Sequence, residues 1–275
     1  MRAILFILAT LFALPVEAQI IRSPSGGAPV TSAQVDLSDF SYHANLAIFD
    51  ATSMSAVGVL ASSDTFGTAS AINMTASLYG RFTRMRRTSA TAVNSAAGFG
   101  TIAATSGTPY GQFAGQTSYT LTVRMGVPTG FVLGHRAFCG LYRAADSTIT
   151  GATVFTAIPN VAYFGFDTTE ATWRFCTHNS GGTRSCADTT HPIGTTGFYT
   201  FTFETVNGTA IDYKMTRDDL DPTTIIAQGS ATTGGGFNMP AVTQEYRVAC
   251  WVSTAAVGGN VIMEPSSIVY RLPYY

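Results

Sequence analysis

The fold is decided by residues 199–216, which read YTFTFETVNGTAIDYKMT. Apolar Tyr199, Phe201 and Phe203 alternate with polar residues, and the same period of two returns after Asn207-Gly208. A period of two is typical of a strand with one buried face. Asn and Gly both tolerate the positive φ that a type I′ turn requires, so this stretch predicts an antiparallel hairpin.

The alternation recurs outward from this hairpin, for example in residues 119–125, which read YTLTVRM. Turn residues separate the alternating segments, and after residue 20 we find no convincing amphipathic helix of ten residues. The run Gly98-Phe99-Gly100 has neither the preceding strand nor the following helix of a dinucleotide site, so it predicts a turn or bulge. The chain is therefore predicted to be all-β, an antiparallel two-sheet β-sandwich.

Composition restricts the classes of function. The 275 residues are 46% hydrophobic and 11% charged, with a net charge of −1. Such a low charged fraction argues against intrinsic disorder. Lys214 is the only lysine, so the chain lacks the broad positive field that sequence-independent nucleic-acid binding requires.

The N-terminus has the pattern of an export signal. Arg2 precedes an apolar run over residues 3–14, and cleavage is predicted between Ala18 and Gln19, after small residues at the −3 and −1 positions. An uncleaved hydrophobic anchor is the alternative. We predict a signal peptide over residues 1–18, a Ser/Gly/Pro-rich linker or attachment segment over 19–40 and a β-sandwich domain over 41–275, with no membrane span in the mature chain.

Export would place four cysteines in an oxidising compartment. Cys176 and Cys186 flank the turn residues 179–182, so a hairpin would bring them opposite each other as a disulfide. Cys139 and Cys250 both lie in apolar, strand-like segments. They are predicted to form either a second disulfide or two buried thiols.

Arg81, Arg84, Arg86 and Arg87 form the one concentration of positive charge. A planar guanidinium binds carboxylate or phosphate well, so this cluster is a candidate anion patch for an acidic glycan, lipopolysaccharide phosphate or a partner's carboxylates. The alternative is a solvated strand face or surface loop.

No sequence motif identifies catalysis. The four histidines have no ligand-like spacing, and the carboxylates Glu170, Glu204, Glu245 and Glu264 share no motif of the kind that a glycosidase pair would suggest. The acidic run over residues 218–222 predicts a hairpin turn in preference to a calcium site. We therefore expect a chain without enzyme activity, cofactor or metal.

Several segments resemble a jelly-roll, concanavalin-like domain of bacteriophage and prophage tail-fibre or virion appendage proteins. The resemblance covers about residues 75 to 275 and rests on strand order and small motifs. The first segments that carry it are RMRRTSATAVNSAAG at 84–98, YTLTVRMGV at 119–127, RAFCGL at 136–141 and PNVAYFGFD at 159–167. It continues with YKMTR at 213–217 and with the closing strands at 246–254 and 268–271.

The resemblance implies a non-enzymatic virion protein that attaches to a host-surface glycan or to a neighbouring virion protein. It carries over no catalytic residue, and it suggests a homo-trimer, because fibre tips are commonly trimeric. The sandwich loops near residues 144–153, 178–184 and 234–238 are candidate ligand contacts, because loops carry function on rigid scaffolds.

The signal peptide and the predicted Cys176–Cys186 disulfide favour an alternative. In it, the chain is a secreted bacterial lectin-like or adhesin module, exported to the periplasm or the cell exterior with or without association with a virion. A glycan-degrading enzyme is the weaker alternative.

Overall fold

The computed structural model describes residues 42–49, 54–57, 63–66, 68–70, 86–101, 118–143, 152–154, 158–181, 183–206, 210–220, 223–240 and 246–273. These residues form strands that are numbered here in chain order and that lie in two antiparallel sheets. The predicted signal peptide and linker lie outside the described residues.

Sheet A carries the site described below. In spatial order it contains β14 (Thr224–Thr232), β13 (Ala210–Arg217), β12 (Gly197–Val206), β7 (Ser118–Val127), β16 (Ile262–Pro273), β1 (Tyr42–Phe49) and β2 (Met54–Val57). Two short strands, β4 (Thr68–Ser70) and β5 (Arg86–Thr88), pair with each other, and β5 also pairs with β16.

Sheet B packs against sheet A. In spatial order it contains β11 (Ser185–Pro192), β10 (Thr172–His178), β9 (Val161–Phe166), β8 (Arg136–Arg143), β15 (Tyr246–Ser253), β6 (Ala96–Thr101) and β3 (Ser63–Phe66). From β7 onward, the chain crosses from sheet A to sheet B between β7 and β8, returns between β11 and β12, and crosses to sheet B and back once more for β15. The predicted all-β antiparallel sandwich is confirmed.

The two strands of the predicted hairpin over residues 199–216 pair with each other. Strands β12 and β13 pair in register from Tyr199 opposite Arg217 to Val206 opposite Ala210. Asn207 and Gly208, the predicted turn residues, lie outside the described residues. The strand alternation is correct, because Tyr199, Phe201 and Phe203 all point into the core.

The main core lies between the sheets and is rich in aromatic rings. Phe164 of β9 lies 5.2 Å from Phe201 of β12, and Phe175 of β10 stacks on Tyr213 of β13 at 4.0 Å between ring centroids. Stacked and edge-to-face rings add stability beyond the apolar area that they bury. This packing fixes the positions of β12 and β13, so their other faces are held rigidly.

A second, smaller cluster covers the face of sheet B that points away from the main core. Phe138 stacks on Tyr163 at 4.7 Å, and Trp251 lies 6.3 Å from Phe138. All three side chains are buried. Residues on both faces of β8, β9 and β15 are therefore buried, which explains the nearly continuous apolar sequences of these strands.

The prediction of a turn or bulge at Gly98-Phe99-Gly100 is wrong, because these residues lie within β6. Gly98 is needed there for space and backbone conformation. A Cβ atom at Gly98 would lie 2.3 Å from the Cys250 carbonyl oxygen, and its φ is +152°. Gly98 therefore allows β6 to lie against β15 at Trp251, a tertiary requirement that local turn propensity does not reveal.

Candidate functional site

The described residues contain a groove on the face of sheet A that points away from the core. Its volume is about 390 Å³. We call it the threonine groove. Its lining residues come from β7, β12, β13 and the segment that follows β13, and they are Arg124, Thr200, Thr202, Lys214, Thr216, Asp218 and Thr223.

Strand alternation and register build this groove. The residues of β12 that alternate with Phe201 point outward, so Thr200 and Thr202 form its middle. Thr200 pairs with Arg124 of β7 on one side and with Thr216 of β13 on the other. Thr202 likewise pairs with Lys214 of β13. Residues from three strands are thereby brought onto one surface.

The groove contains two exposed cations. The side chains of Arg124 and Lys214 are exposed, and neither forms a hydrogen bond or an ion pair with another residue in the part of the chain that the structure describes. Each cation is therefore available to a ligand. In a chain with a net charge of −1, the positive charge of this surface is local.

One carboxylate also lies in the groove and is engaged by hydroxyl groups. Asp218 accepts a hydrogen bond from Thr200 Oγ1 through Oδ2, and its Oδ1 accepts from Thr216 Oγ1 at 2.7 Å. A hydroxyl that donates its proton in this way keeps its lone pairs as acceptors. Thr200 and Thr216 are each 8% exposed, so their hydroxyls lie at the floor of the groove with lone pairs able to accept hydrogen bonds.

The turn after β13 is fixed by Asp219. Its Oδ1 accepts hydrogen bonds from the Phe198 N–H at 3.0 Å and from Arg217 Nε at 3.2 Å, and its Oδ2 accepts from Arg217 Nη2 at 2.7 Å. Burial alone would raise the pKa of Asp219, but the hydrogen bonds from Arg217 and Phe198 lower it. The described part of the predicted turn thus positions Asp218. Among the described residues, no group of three or more His, Cys, Asp or Glu side chains could hold a metal ion.

Carboxylates flank the cations along the strand direction. On one side, Glu204 of β12 is opposite Asp212 of β13, and both side chains are exposed. On the other side lies Asp218, whose backbone N–H donates to the Phe198 carbonyl, and in the same row across the sheet lies Glu264 of β16, which is buried and paired with Arg86. The positive part of the face is therefore a band that runs across the strands from Arg124 on β7 to Lys214 on β13. We call it the cationic band.

The predicted anion patch is divided in the structure. Arg86 donates from Nε at 2.9 Å to Oε1 of Glu264, so its guanidinium already binds a carboxylate. Burial lowers the pKa of Arg87. Arg81 and Arg84 lie outside the described residues, and the patch as a group stays a prediction.

The structure contains two disulfides. Cys176 and Cys186 are in register on β10 and β11 and are bonded, as the hairpin spacing predicts. Cys139 and Cys250 are in register on β8 and β15 and are also bonded. The sequence allowed either a second disulfide or two buried thiols, and the structure contains the disulfide. Two disulfides are typical of proteins from an oxidising, exported environment.

The candidate carboxylates lie apart in the fold. Glu170 is buried and forms ion pairs with Arg184 and with Arg174, the latter at 3.3 Å. Its Oε2 also accepts a hydrogen bond from the Asp167 N–H at 2.7 Å, so it holds the turn between β9 and β10. Glu264 is paired with Arg86 as described above, and Glu245 lies outside the described residues.

Two of the three candidate loops meet. Asn238 donates from Nδ2 to the Thr183 carbonyl and from its backbone N–H to Ser185 Oγ at 3.3 Å. This contact joins the segment after β14 to the turn between β10 and β11. Of the third loop, 144–153, only residues 152 and 153 are described.

The sequence does not predict the threonine groove. Its alternation correctly puts Thr200, Thr202, Lys214 and Thr216 on the polar faces of strands, but a polar strand face is ordinarily just solvated. One signal was available, since the only lysine of the chain and an arginine both alternate with apolar core residues. Bringing them together requires the pairing of β7 with β12, which is non-local.

This chain is similar to known proteins in its fold. No protein-family model and no curated protein matches the chain. A solved structure of a protein of unknown function from Shewanella oneidensis MR-1 superposes with a TM-score of 0.51 and 15% identity over 92% of this chain and 95% of that chain. The Emp47p carbohydrate recognition domain superposes with a TM-score of 0.51 and 10% identity over 84% of this chain and 98% of that chain.

A third similar structure is alginate lyase A1-II′, a member of polysaccharide lyase family-7, with a TM-score of 0.46 and 11% identity over 86% of this chain and 97% of that chain. The two antiparallel sheets and the superpositions with a TM-score of 0.51 confirm the predicted jelly-roll, concanavalin-like sandwich as the fold class. A shared fold does not by itself assign a function. Among the residues that the structure describes, no helix has the length and apolar character of a membrane span.

Proposed function

We propose that this chain is an exported β-sandwich binding protein that holds a glycan in the threonine groove. The observation that carries the proposal is the arrangement of hydroxyl groups and exposed cations, unpaired among the described residues, in a groove on the outer face of sheet A. Sugars present many hydroxyl groups, and recognising them requires fixed donors and acceptors. Thr200, Thr202 and Thr216 supply hydroxyls, while Arg124 and Lys214 supply donors.

Binding without catalysis fits the groove better than hydrolysis does. Glycoside hydrolysis requires two carboxyl groups at a defined separation across the scissile bond. Among its described lining residues the groove contains one carboxylate, Asp218, whose oxygens are engaged by Thr200 and Thr216. A carboxylate fixed in this way orients neighbouring hydroxyls, and we assign it that role.

The setting that we propose is the surface of a virion, as a tail-fibre or appendage protein that attaches to a host-surface glycan. The resemblance of residues 75 to 275 to phage appendage proteins supports this setting, and a homo-trimer is part of it. A secreted bacterial lectin-like or adhesin module is the second candidate, and the two disulfides favour it. Both settings use the same glycan site.

Glycan binding is tested by screening the purified, disulfide-bonded protein on an array of bacterial surface glycans. Thr202→Val removes one groove hydroxyl and keeps a β-branched side chain, so binding should weaken about fivefold. Thr196→Val changes a hydroxyl outside the groove and should bind as the wild type does. No binding to any arrayed glycan, or equal binding by Thr202→Val, would contradict the proposal.

The setting is tested separately by mass spectrometry of virions, host envelope and culture fluid. Peptides that begin at Gln19 and occur in purified virions would support an exported appendage protein. The same N-terminus in the periplasm or medium, with no peptide in virions, would exclude the appendage and support the secreted module. New reducing ends after incubation with the bound glycan would overturn the assignment of binding without catalysis.

A further inference from the structure

We infer that the threonine groove selects an acidic oligosaccharide, which lies across the strands with its carboxylates at Arg124 and Lys214. The inference rests on the proposed function and adds the class of sugar and its direction. Three observations on the described residues support it: the aromatic-free lining, the two cations without partners and the flanking carboxylates.

The lining makes a neutral sugar a poor ligand. Sites for neutral sugars gain much of their affinity from an aromatic ring that packs against the apolar face of the sugar. The groove is lined by threonines, Arg124, Lys214 and Asp218, and none of its described lining residues is aromatic. Its affinity must therefore come from hydrogen bonds and charge. Charge-assisted hydrogen bonds to a carboxylate are about twice as strong as neutral ones.

The spacing of the cations suits a ligand with two anionic groups. Arg124 and Lys214 lie on β7 and β13, with β12 between them, and they pair with Thr200 and Thr202, which are two residues apart on β12. With strand spacings of about 4.8 Å and a rise of about 3.4 Å per residue, their Cα atoms are about 12 Å apart. Both side chains are long, so they can reach two successive acidic sugars.

The flanking carboxylates set the direction of the ligand. An acidic chain that ran along the strands would leave the cationic band and meet the exposed carboxylates of Glu204 and Asp212. The Asp218 carboxylate lies within the groove, where the hydroxyl groups of Thr200 and Thr216 donate to it. Like charges at such distances repel, whereas a chain that crosses from β7 to β13 stays on the band. The same repulsion excludes a long polyanion that follows a single strand.

The direct test is calorimetry with three hexamers: oligogalacturonate, its carboxyl-reduced neutral counterpart and oligoglutamate. We expect oligogalacturonate to bind at least tenfold more tightly than either of the others, and more weakly at high salt because exposed charges are screened. Equal binding of the acidic and the reduced sugar would overturn the inference and leave the proposed function standing. Binding of no sugar would overturn both, and equal binding of oligoglutamate would show that the site recognises anions and not sugars.

Variants assign the effect to the two cations. Arg124→Gln and Lys214→Gln should each weaken oligogalacturonate binding about tenfold, because each removes a charge-assisted contact. Lys214→Arg keeps the charge and should retain binding. Glu204→Gln removes a repelling charge next to the band, so binding should be unchanged or tighter. Wild-type affinity in both glutamine variants, Arg124→Gln and Lys214→Gln, would overturn the inference.

Discussion

Arg86 and Glu264 are separated by 178 positions in the sequence, yet Arg86 donates from Nε at 2.9 Å and from Nη2 at 2.5 Å to the same Glu264 oxygen. The Glu264 side chain is only 1% exposed, whereas that of Arg86 is 36% exposed. The pair fastens the short strand β5 to β16, beyond the Asp218 side of the threonine groove.

Removing Arg86 should destabilise the fold more than removing its partner's charge. Arg86→Gln leaves a buried carboxylate without its cation, which we expect to cost about 2 to 3 kcal/mol because Arg86 is partly solvated. Glu264→Gln keeps a side-chain oxygen as an acceptor and should cost less. Urea denaturation measures both, and Arg124→Gln is the matched control, since Arg124 has no partner among the described residues. A loss for Arg86→Gln no larger than that of the control would refute the role of the pair.

The two disulfides should differ in their effects on stability. Cys176 and Cys186 close a loop with a sequence separation of 10, and Cys139 and Cys250 one of 111. In the chain-entropy model these loops are worth about 2 to 3 and about 4 to 5 kcal/mol. We expect Cys139→Ala/Cys250→Ala to lower the Tm more than Cys176→Ala/Cys186→Ala, as measured by calorimetry. The reverse order, or a Tm that reductant leaves unchanged, would contradict this prediction.

His191 should make stability depend on pH. Its Nε2 lies 2.9 Å from Tyr199 Oη, and burial, assisted by the charge of Arg217, lowers its pKa below 6.5. The unfolded chain therefore binds more protons than the folded one below pH 6.5, so the free energy of unfolding decreases as the pH falls through that range.

The measurement is the Tm of the wild type and of His191→Gln at about pH 8 and about pH 5.5. At the higher pH, the Tm values of the two proteins should differ only because the variant lacks the His191 contact with Tyr199. The variant should then lose less Tm on acidification, with the remaining dependence carried in part by His135, whose pKa burial also lowers. Parallel curves for the two proteins would be the contrary result.

Gly140 should not tolerate a methyl group. A Cβ atom there would lie 2.2 Å from the Ala162 carbonyl oxygen and 2.5 Å from Tyr163 Cα, both of which are backbone atoms that cannot rotate away. Gly140→Ala should therefore cost about 1 to 3 kcal/mol by overpacking. Gly181→Ala is the control, because nothing lies within 4 Å of its Cβ position. Equal stability of the two variants in urea would argue against close packing of β8 on β9.

The sequence is sufficient to predict a structural feature when the residues that determine the feature are close together in the chain. The alternation around Tyr199 and Phe201 predicts which side of β12 is buried, and the spacing of Cys176 and Cys186 predicts the disulfide in their hairpin. Both depend on residues within about ten positions of each other, so strand periodicity and turn chemistry are enough.

The site could not be predicted in this way, because it depends on the order of strands in the sheet. Arg124 and Thr200 meet only because β7 pairs with β12, and nothing in either segment specifies that partner. The arginine cluster shows that residues adjacent in sequence can have separate roles in the fold. Arg86 and Arg87 are neighbours in sequence, but Arg86 is committed to Glu264 on a distant strand.

The most direct test of the proposed glycan site uses the single lysine of the chain. Protein produced with ¹³C-labelled lysine gives one ε-carbon signal, from Lys214, which lies in the threonine groove. We predict that the glycan selected on the array shifts this signal progressively until saturation, and that Thr202→Val requires about fivefold more glycan for the same shift. Calorimetric binding of that glycan with an unmoved Lys214 signal would contradict the account, because it would place the binding site elsewhere on the protein.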